Sequence, residues 1–229
     1  VDITNYIMFD LNRPLHAYDA DKINKEIIVR HSKKGETFEA LDNKKYTLDN
    51  NMCAITDKSG ILGLGGIIGG VRSGTELSTK NILLESAYFY PSEIRKTAKS
   101  LNIDTDAKYR FERGVDPNSI KVGLELAMCM VLDICGGVAS KLSFAGKLKK
   151  NNKIIDLNYE NFLNVIGFSI TNSETKKILV SLGCEVKTSK KGIKVIPPSW
   201  RPDIKGDIDL IEELVRIKGY KKIPLINPE

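Results

Sequence analysis

The segment from Gly63 to Gly70 carries five glycines in eight residues. A helix is excluded there, since each interior glycine costs about 1 kcal/mol against alanine. The stretch has to be built of turns and short extended pieces. A nucleotide-binding role fails in detail. A dinucleotide fingerprint that starts at Gly63 needs glycine where Ile68 stands, and a phosphate loop needs Lys and Ser/Thr where Val71 and Arg72 follow. Two readings remain open: a tight loop between strands where bulk is forbidden, or backbone that must approach a ligand closely.

The surrounding chain alternates short elements. Residues 27–30 and 52–57 are strands by their apolar, β-branched content, and 38–43 with 45–48 forms a hairpin around Asp42-Asn43. Residues 82–87 form an apolar strand with one acid, Glu85. Pro91 opens a helix to about Leu101, at the position where its missing N–H costs nothing. A longer helix is expected from Asp116-Pro117 to Ile134, on a stripe of Ile120, Leu124, Ala127 and Val131, stopped by Gly136-Gly137.

Charge divides the chain. Lys and Arg number 35 against 29 Asp and Glu, a net +6. Residues 1–146 hold 19 of each sign, so the whole excess lies in 147–229. The boundary falls in the polar, basic stretch 146–153, a linker by composition. Two domains are therefore expected, 1–146 and 147–229, both α+β: a mixed α/β domain, then a smaller basic one. The second has a short strand at 154–157, a helix at 158–166 and a helix capped by Thr171 and Glu174. A hairpin follows (184–187 and 193–196, with a Ser-Lys-Lys-Gly turn), and then a helix over about 207–218. Two helices, a basic-tipped hairpin and a third helix outline a winged-helix-like module. Its excess charge suits a polyanion, or else is a solvated lysine-rich surface.

With 41% hydrophobic and 28% charged residues the chain is too apolar for disorder, and no apolar run approaches the ~20 residues of a membrane span. The first residues carry an acid where a signal peptide needs basic charge, and the start at Val1 suggests a piece of something longer. Cys53, Cys129, Cys135 and Cys184 make no Cys-x-x-Cys pair, which argues against zinc and against a disulfide framework. Cys129 and Cys135 are expected to act as small hydrophobes in the long helix. A reducing, cytoplasmic setting follows.

Four features carry possible chemistry. His16 has Arg13 and Asp19 for company; it is structural or catalytic. Glu85 either lies on the exposed face of an edge strand or is an acceptor at the base of a pocket, because a buried acid needs a partner. Residues 104–117, between two helices, are dense in charges, aromatics and arginines, more than an ordinary loop needs; the plain reading is a packed, salt-bridged connection. Asp203, Asp209, Glu212 and Glu213 form an acidic set. The last three sit at i, i+3 and i+4 on one helix, an arrangement that suits Mg²⁺ or the helix macrodipole.

Taken together, Asp2–Tyr6, Arg13–Asp19, Gly65–Gly70, Asn81–Ala87, Thr105–Pro117 and Pro198–Ile204 resemble the β chains of bacterial phenylalanyl-tRNA synthetases, in order and along essentially the whole chain. The resemblance implies that residues 1 to about 146 are an editing module, which hydrolyses Tyr-tRNA(Phe), followed by a small domain. It implies a parent α₂β₂ enzyme that charges tRNA(Phe) with phenylalanine using ATP on its α chain. It further implies Glu85 as acceptor for the tyrosyl hydroxyl, Gly65 as pocket wall, and His16, Thr105 and Ala107 around the ester and the tRNA 3′ end. Asp203, Asp209, Glu212 and Glu213 match the family's Mg²⁺ positions, shared with the α chain. The alternative is a non-catalytic RNA-binding or assembly module.

Overall fold

The computed structural model describes residues 1–148, 153–189 and 192–225. The chain divides into two compact units, Val1–Ala145 and Gly146–Glu229. Both mix helices with antiparallel strands, so the α+β class holds. Among the described residues no helix is long and apolar enough to cross a membrane.

The first unit opens with helix α1 (Asp2–Leu11), which buries Ile7 and Met8 and ends where Asn12 turns left-handed at φ 52°. Strand β1 (His16–Asp19) follows. Next come β2 (Ile28–His31), β3 (Thr37–Glu39), β4 (Lys45–Thr47), β5 (Cys53–Asp57), β6 (Gly60–Leu64), β7 (Ile68–Gly69) and β8 (Ile82–Glu85). The order β2-β5-β6-β7 makes a four-stranded antiparallel sheet, β3 and β4 form the hairpin around Asp42-Asn43, and β1 pairs with β8 alone. Opposite Ile55 and Thr56 the partner residues are Gly63 and Ile61, so Leu62 is an extra residue that bulges β6 just before the glycines.

Helix α2 (Pro91–Leu101) begins on its proline as expected. The charged stretch after it is the salt-bridged connection expected, and it holds a short helix, α3 (Asp106–Phe111). Its charges pair along the helix: Lys108 with Asp104 and Glu112, Arg110 with Asp106, and Arg113 with Glu112. Helix α4 (Ser119–Cys135) starts later than the sequence suggests. The carboxylate of Asp116 accepts from the Asn118 N–H, which closes a turn at Asp116–Asn118 instead. Gly123 and Ala127 are its buried residues, whereas Cys129 and Cys135 are exposed free thiols rather than core hydrophobes.

Arg13 joins these pieces. It is fully buried, and its guanidinium donates to Ser119 Oγ (2.8 Å) and to the carbonyls of Ala87 (2.7 Å) and Asp116. Its stem lies on Gly123, where a Cβ would sit 2.7 Å from Arg13 Cγ. Burial pulls its pKa down to about 10, opposed by Asp116. Asp19 accepts from Thr79 Oγ1 at 2.7 Å. Both residues are thus structural supports, not companions of His16 in a site.

The second unit has β9 (Ile155–Asn158), α5 (Tyr159–Ile166), α6 (Asn172–Ser181), β10 (Glu185–Ser189), β11 (Gly192–Ile196) and α7 (Asp207–Lys218). Thr171 and Glu174 form the expected capping box on α6. The sheet order is β10-β11-β9, and Phe162, Leu179, Val195, Leu210 and Leu214 fill its core. Two lysines of the hairpin turn, 190 and 191, and linker residues 149–152 lie outside the described residues.

Candidate functional site

Antiparallel pairing of β1 with β8 puts His16 directly opposite Glu85 and Tyr18 opposite Leu83. Residues two apart on a strand share a face, so His16, Tyr18 and Glu85 stand on one side of this ribbon. That side closes a cavity of about 90 Å³ with the glycine segment 63–69 and with Phe89, Ala107 and Phe111. Four of the five residues expected in the editing pocket line this cavity: His16 and Ala107 of the three expected around the ester, Gly65 of the wall, and Glu85, the expected acceptor.

Thr105 is not on the lining. Its hydroxyl donates to the Ile67 carbonyl at 2.7 Å and accepts the Lys108 N–H at 3.1 Å as N-cap of α3. The sequence match placed Thr105 among the chemical groups. Its geometry makes it the anchor of α3 on the glycine segment, with its only proton already committed.

Glycines here serve contact. A Cβ on Gly65 would sit 2.9 Å from Cys53 Sγ and still nearer the Phe89 ring, and one on Gly69 would sit 2.8 Å from His16 Nε2. Gly66 has φ +70°, a left-handed backbone that glycine adopts freely. The first sequence reading applies: bulk is forbidden by Phe89 and His16. The glycine backbone also forms one wall of the cavity.

The walls are mostly apolar. Phe89 and Phe111 meet edge to face at 5.1 Å and 83°. The polar groups are few. Glu85 is half-buried with its carboxyl end turned inward, where burial pushes its pKa above the ordinary carboxylate value and the Tyr18 hydrogen bond opposes that shift. Its Oε2 accepts from Tyr18 Oη at 2.6 Å. Tyr18 is 2% exposed, and burial first and Glu85 second raise its pKa, so it stays a donor.

His16 makes an edge-on contact with the Tyr18 ring, centroids 4.3 Å apart at 76°. Burial lowers its pKa to about 4, so the ring is neutral at neutral pH. Its Nε2 is buried with no hydrogen-bond partner among the described residues. Buried polar atoms are rarely left so, and an orphan in a cavity wall marks where a ligand or water binds. The cavity thus offers an apolar slot, one inward carboxylate and one neutral imidazole. The residue that sequence reasoning overlooked is Tyr18, an aromatic in a strand with nothing local to distinguish it from core.

The acidic set of the second unit does not converge. Asp209 turns back to accept the Lys205 and Gly206 N–H groups (2.7 and 2.9 Å). Asp203 pairs with Arg201 at 2.6 Å. Glu213, 8% exposed, lies between Arg201 (2.9 Å) and Arg216 (2.5 Å), and Glu212 is exposed. The guanidinium hydrogen bonds hold the Asp203 and Glu213 pKa values below the usual carboxylate range. Among the described residues no group of three or more His, Cys, Asp or Glu is placed to hold a metal ion. Of the expected Mg²⁺ ligands, as this chain arranges them, Asp209 caps the helix, Asp203 and Glu213 are held by arginines and Glu212 stands apart, so the set does not fit the ion.

Two family models match this chain: the B3/4 domain over residues 1–136 and the tRNA synthetase B5 domain over residues 155–220. The Phenylalanine--tRNA ligase beta subunit of Rhodopseudomonas palustris is 44% identical across 98% of this chain and 28% of its own length. That of Rhodospirillum rubrum is 45% identical across 99% and 28%. The chain thus spans 28% of the length of these curated relatives. A solved N-terminal fragment of the phenylalanyl-tRNA synthetase beta-subunit from Pyrococcus horikoshii superposes with a TM-score of 0.46 at 18% identity, covering 95% of this chain and 64% of that one.

Proposed function

Because the chain belongs to the B3/4 domain family, we propose that it is part of a phenylalanine–tRNA ligase β subunit and that its cavity is a hydrolytic editing pocket for Tyr-tRNA(Phe). The observation that carries this reading is the inward carboxylate of Glu85 at the end of an apolar slot, beside an unpartnered neutral imidazole.

The chemistry follows from these groups. A site built for phenylalanine rejects tyrosine poorly, because excluding one added hydroxyl by binding alone is hard. A second pocket corrects the error if it prefers the hydroxyl. Phe89, Phe111 and the glycine backbone take the ring, and Glu85 accepts the phenol proton in a hydrogen bond. A phenylalanyl ester leaves the second carboxylate oxygen of Glu85, the one Tyr18 does not engage, buried without a donor, which costs about 1.5–3 kcal/mol. The cavity of about 90 Å³ is smaller than the roughly 150 Å³ that admits benzene. The slot therefore opens by side-chain movement when a ring enters.

Hydrolysis adds a water oxygen to the ester carbonyl. The bond to the ribose oxygen breaks, and the water's proton ends on that leaving oxygen. His16 Nε2 holds the water or a ribose hydroxyl by accepting a hydrogen bond. With a pKa of about 4 it orients that group rather than storing its proton at neutral pH. Thr105 acts indirectly, keeping α3 and Ala107 against the glycine wall.

In the same reading the chain works in the cytoplasm within an α₂β₂ ligase, beside an α chain that consumes ATP, and its substrate is charged tRNA(Phe). A non-catalytic RNA-binding or assembly role draws on one observation, the +6 excess confined to residues 147–229. Tyrosine release from Tyr-tRNA(Phe) and phenylalanine release from Phe-tRNA(Phe), measured on the assembled ligase, decide between the two. Faster release of tyrosine, lost in Glu85→Ala, supports editing. Binding of tRNA without hydrolysis of either ester supports the alternative.

A further inference from the structure

Tyr18 touches both polar groups of the cavity. It follows His16 by two residues on β1, and it reaches diagonally across the ladder to Glu85, which pairs with His16. Diagonal neighbours in an antiparallel pair lie within reach of aromatic side chains. The Tyr18 Oη to Glu85 Oε2 distance is 2.6 Å, in the range of a charge-assisted bond. The same ring sets its face or edge against the His16 imidazole at 4.3 Å.

We propose that Tyr18 is a positioning and specificity-determining residue of this pocket: its buried phenol holds one oxygen of Glu85 and so presents the other to a hydroxyl on the ligand. The inference rests on the editing reading above and adds a device to it. A glutamate's terminal torsion is broad and two-fold, so an untethered carboxylate samples many planes. Ionised, it has two oxygens and about four acceptor positions. Tyr18 fills one position and fixes the plane. Toward Glu85 it is the donor, and a donor to the carboxylate favours the charged form that accepts most strongly. By packing on His16 it fixes the distance between the acceptor for the ring hydroxyl and the group beside the ester.

The competing account is that Tyr18 fills the core and Glu85 merely satisfies its hydroxyl, as buried tyrosines require. A double-mutant cycle separates the two. In the assembled ligase, Tyr18→Phe should lower the ratio of kcat/KM for Tyr-tRNA over Phe-tRNA roughly 5- to 30-fold. The loss should appear mainly as a raised KM for Tyr-tRNA, and the selectivity should rise with pH at a higher value than in the parent protein. In a Glu85→Ala background, Tyr18→Phe should have no further effect on the ratio. The cycle reads the same quantity from the double variant if the single one is less stable.

Selectivity kept in Tyr18→Phe but lost in Glu85→Ala would overturn the positioning role and leave the editing reading intact. Equal loss with both esters, repeated in the Glu85→Ala background, would make Tyr18 a core residue only. Selectivity unchanged in both single variants would remove the editing reading itself.

Discussion

His16 and Glu85 are direct cross-strand partners on the β1–β8 ladder, and burial pushes both toward their uncharged forms. The imidazole is held near pKa 4 and the carboxyl is raised. A rung that carries two groups shifted this way costs stability, and such shifts cluster at functional sites.

His16 gives the first expectation. Its pKa falls from 6.5 to about 4 on folding, so the unfolded chain binds the proton more readily. Stability from this group is complete above pH 6.5 and is lost as pH falls toward 4, by on the order of 3 kcal/mol. Denaturant titrations of His16→Gln against the parent should show the parent falling further over that window. Equal pH dependence would place the imidazole in solvent. The same variant should slow tyrosine release and leave phenylalanine charging nearly intact, and equal loss of both would mean that His16 serves folding.

Arg13→Lys should destabilise the first unit by about 3 kcal/mol or more. An ammonium cannot reach Ser119, Ala87 and Asp116 together, and buried acceptors then go unpaired. The denaturant midpoint measures this. A change below about 0.5 kcal/mol would remove Arg13 as the staple between β8 and α4.

Gly69→Ala should act on the pocket. Its methyl would meet His16 Nε2 at 2.8 Å and Leu41 Cδ1 at 3.0 Å, so the imidazole must swing away. Tyrosine release should drop at least as far as in His16→Ala, with a stability cost of about 1–3 kcal/mol. Full activity would show that the imidazole position is immaterial.

In the second unit, isothermal titration of this chain with Mg²⁺ should give no tight stoichiometric binding, because Arg201 and Arg216 already engage Glu213. Arg201→Ala should cost about 1–3 kcal/mol, because buried Glu213 then keeps only Arg216. Tight binding to the chain alone would contradict the clamp.

Much of this was legible in the sequence where the signals are local. Pro91 marks the start of α2, Thr171 with Glu174 marks α6, and the acid in an apolar strand marks Glu85. Helix α1 was not expected, although Ile3, Ile7 and Leu11 recur at its period, because no side chain caps Val1. The pairing of β1 with β8 joins residues more than 60 positions apart, which no local pattern encodes, so the link from Tyr18 to Glu85 was hidden. The same non-locality concealed Arg13, whose partners are Ala87, just after β8, and Asp116 and Ser119, before and at the start of α4. Spacing on α7 suggested one acidic face, but caps and arginines drew the carboxylates apart.

The central claim is that Glu85 receives the ring hydroxyl of a tyrosyl ester. A crystal structure of the assembled ligase with a non-hydrolysable tyrosyl-adenosine analogue tests it most directly. The account expects the phenol oxygen about 2.5–3.0 Å from a Glu85 carboxylate oxygen, the ring between Phe89 and the glycine wall, and His16 beside the ester-equivalent bond. A tyrosyl ring bound elsewhere, or bound here with its hydroxyl turned away from Glu85, would contradict it.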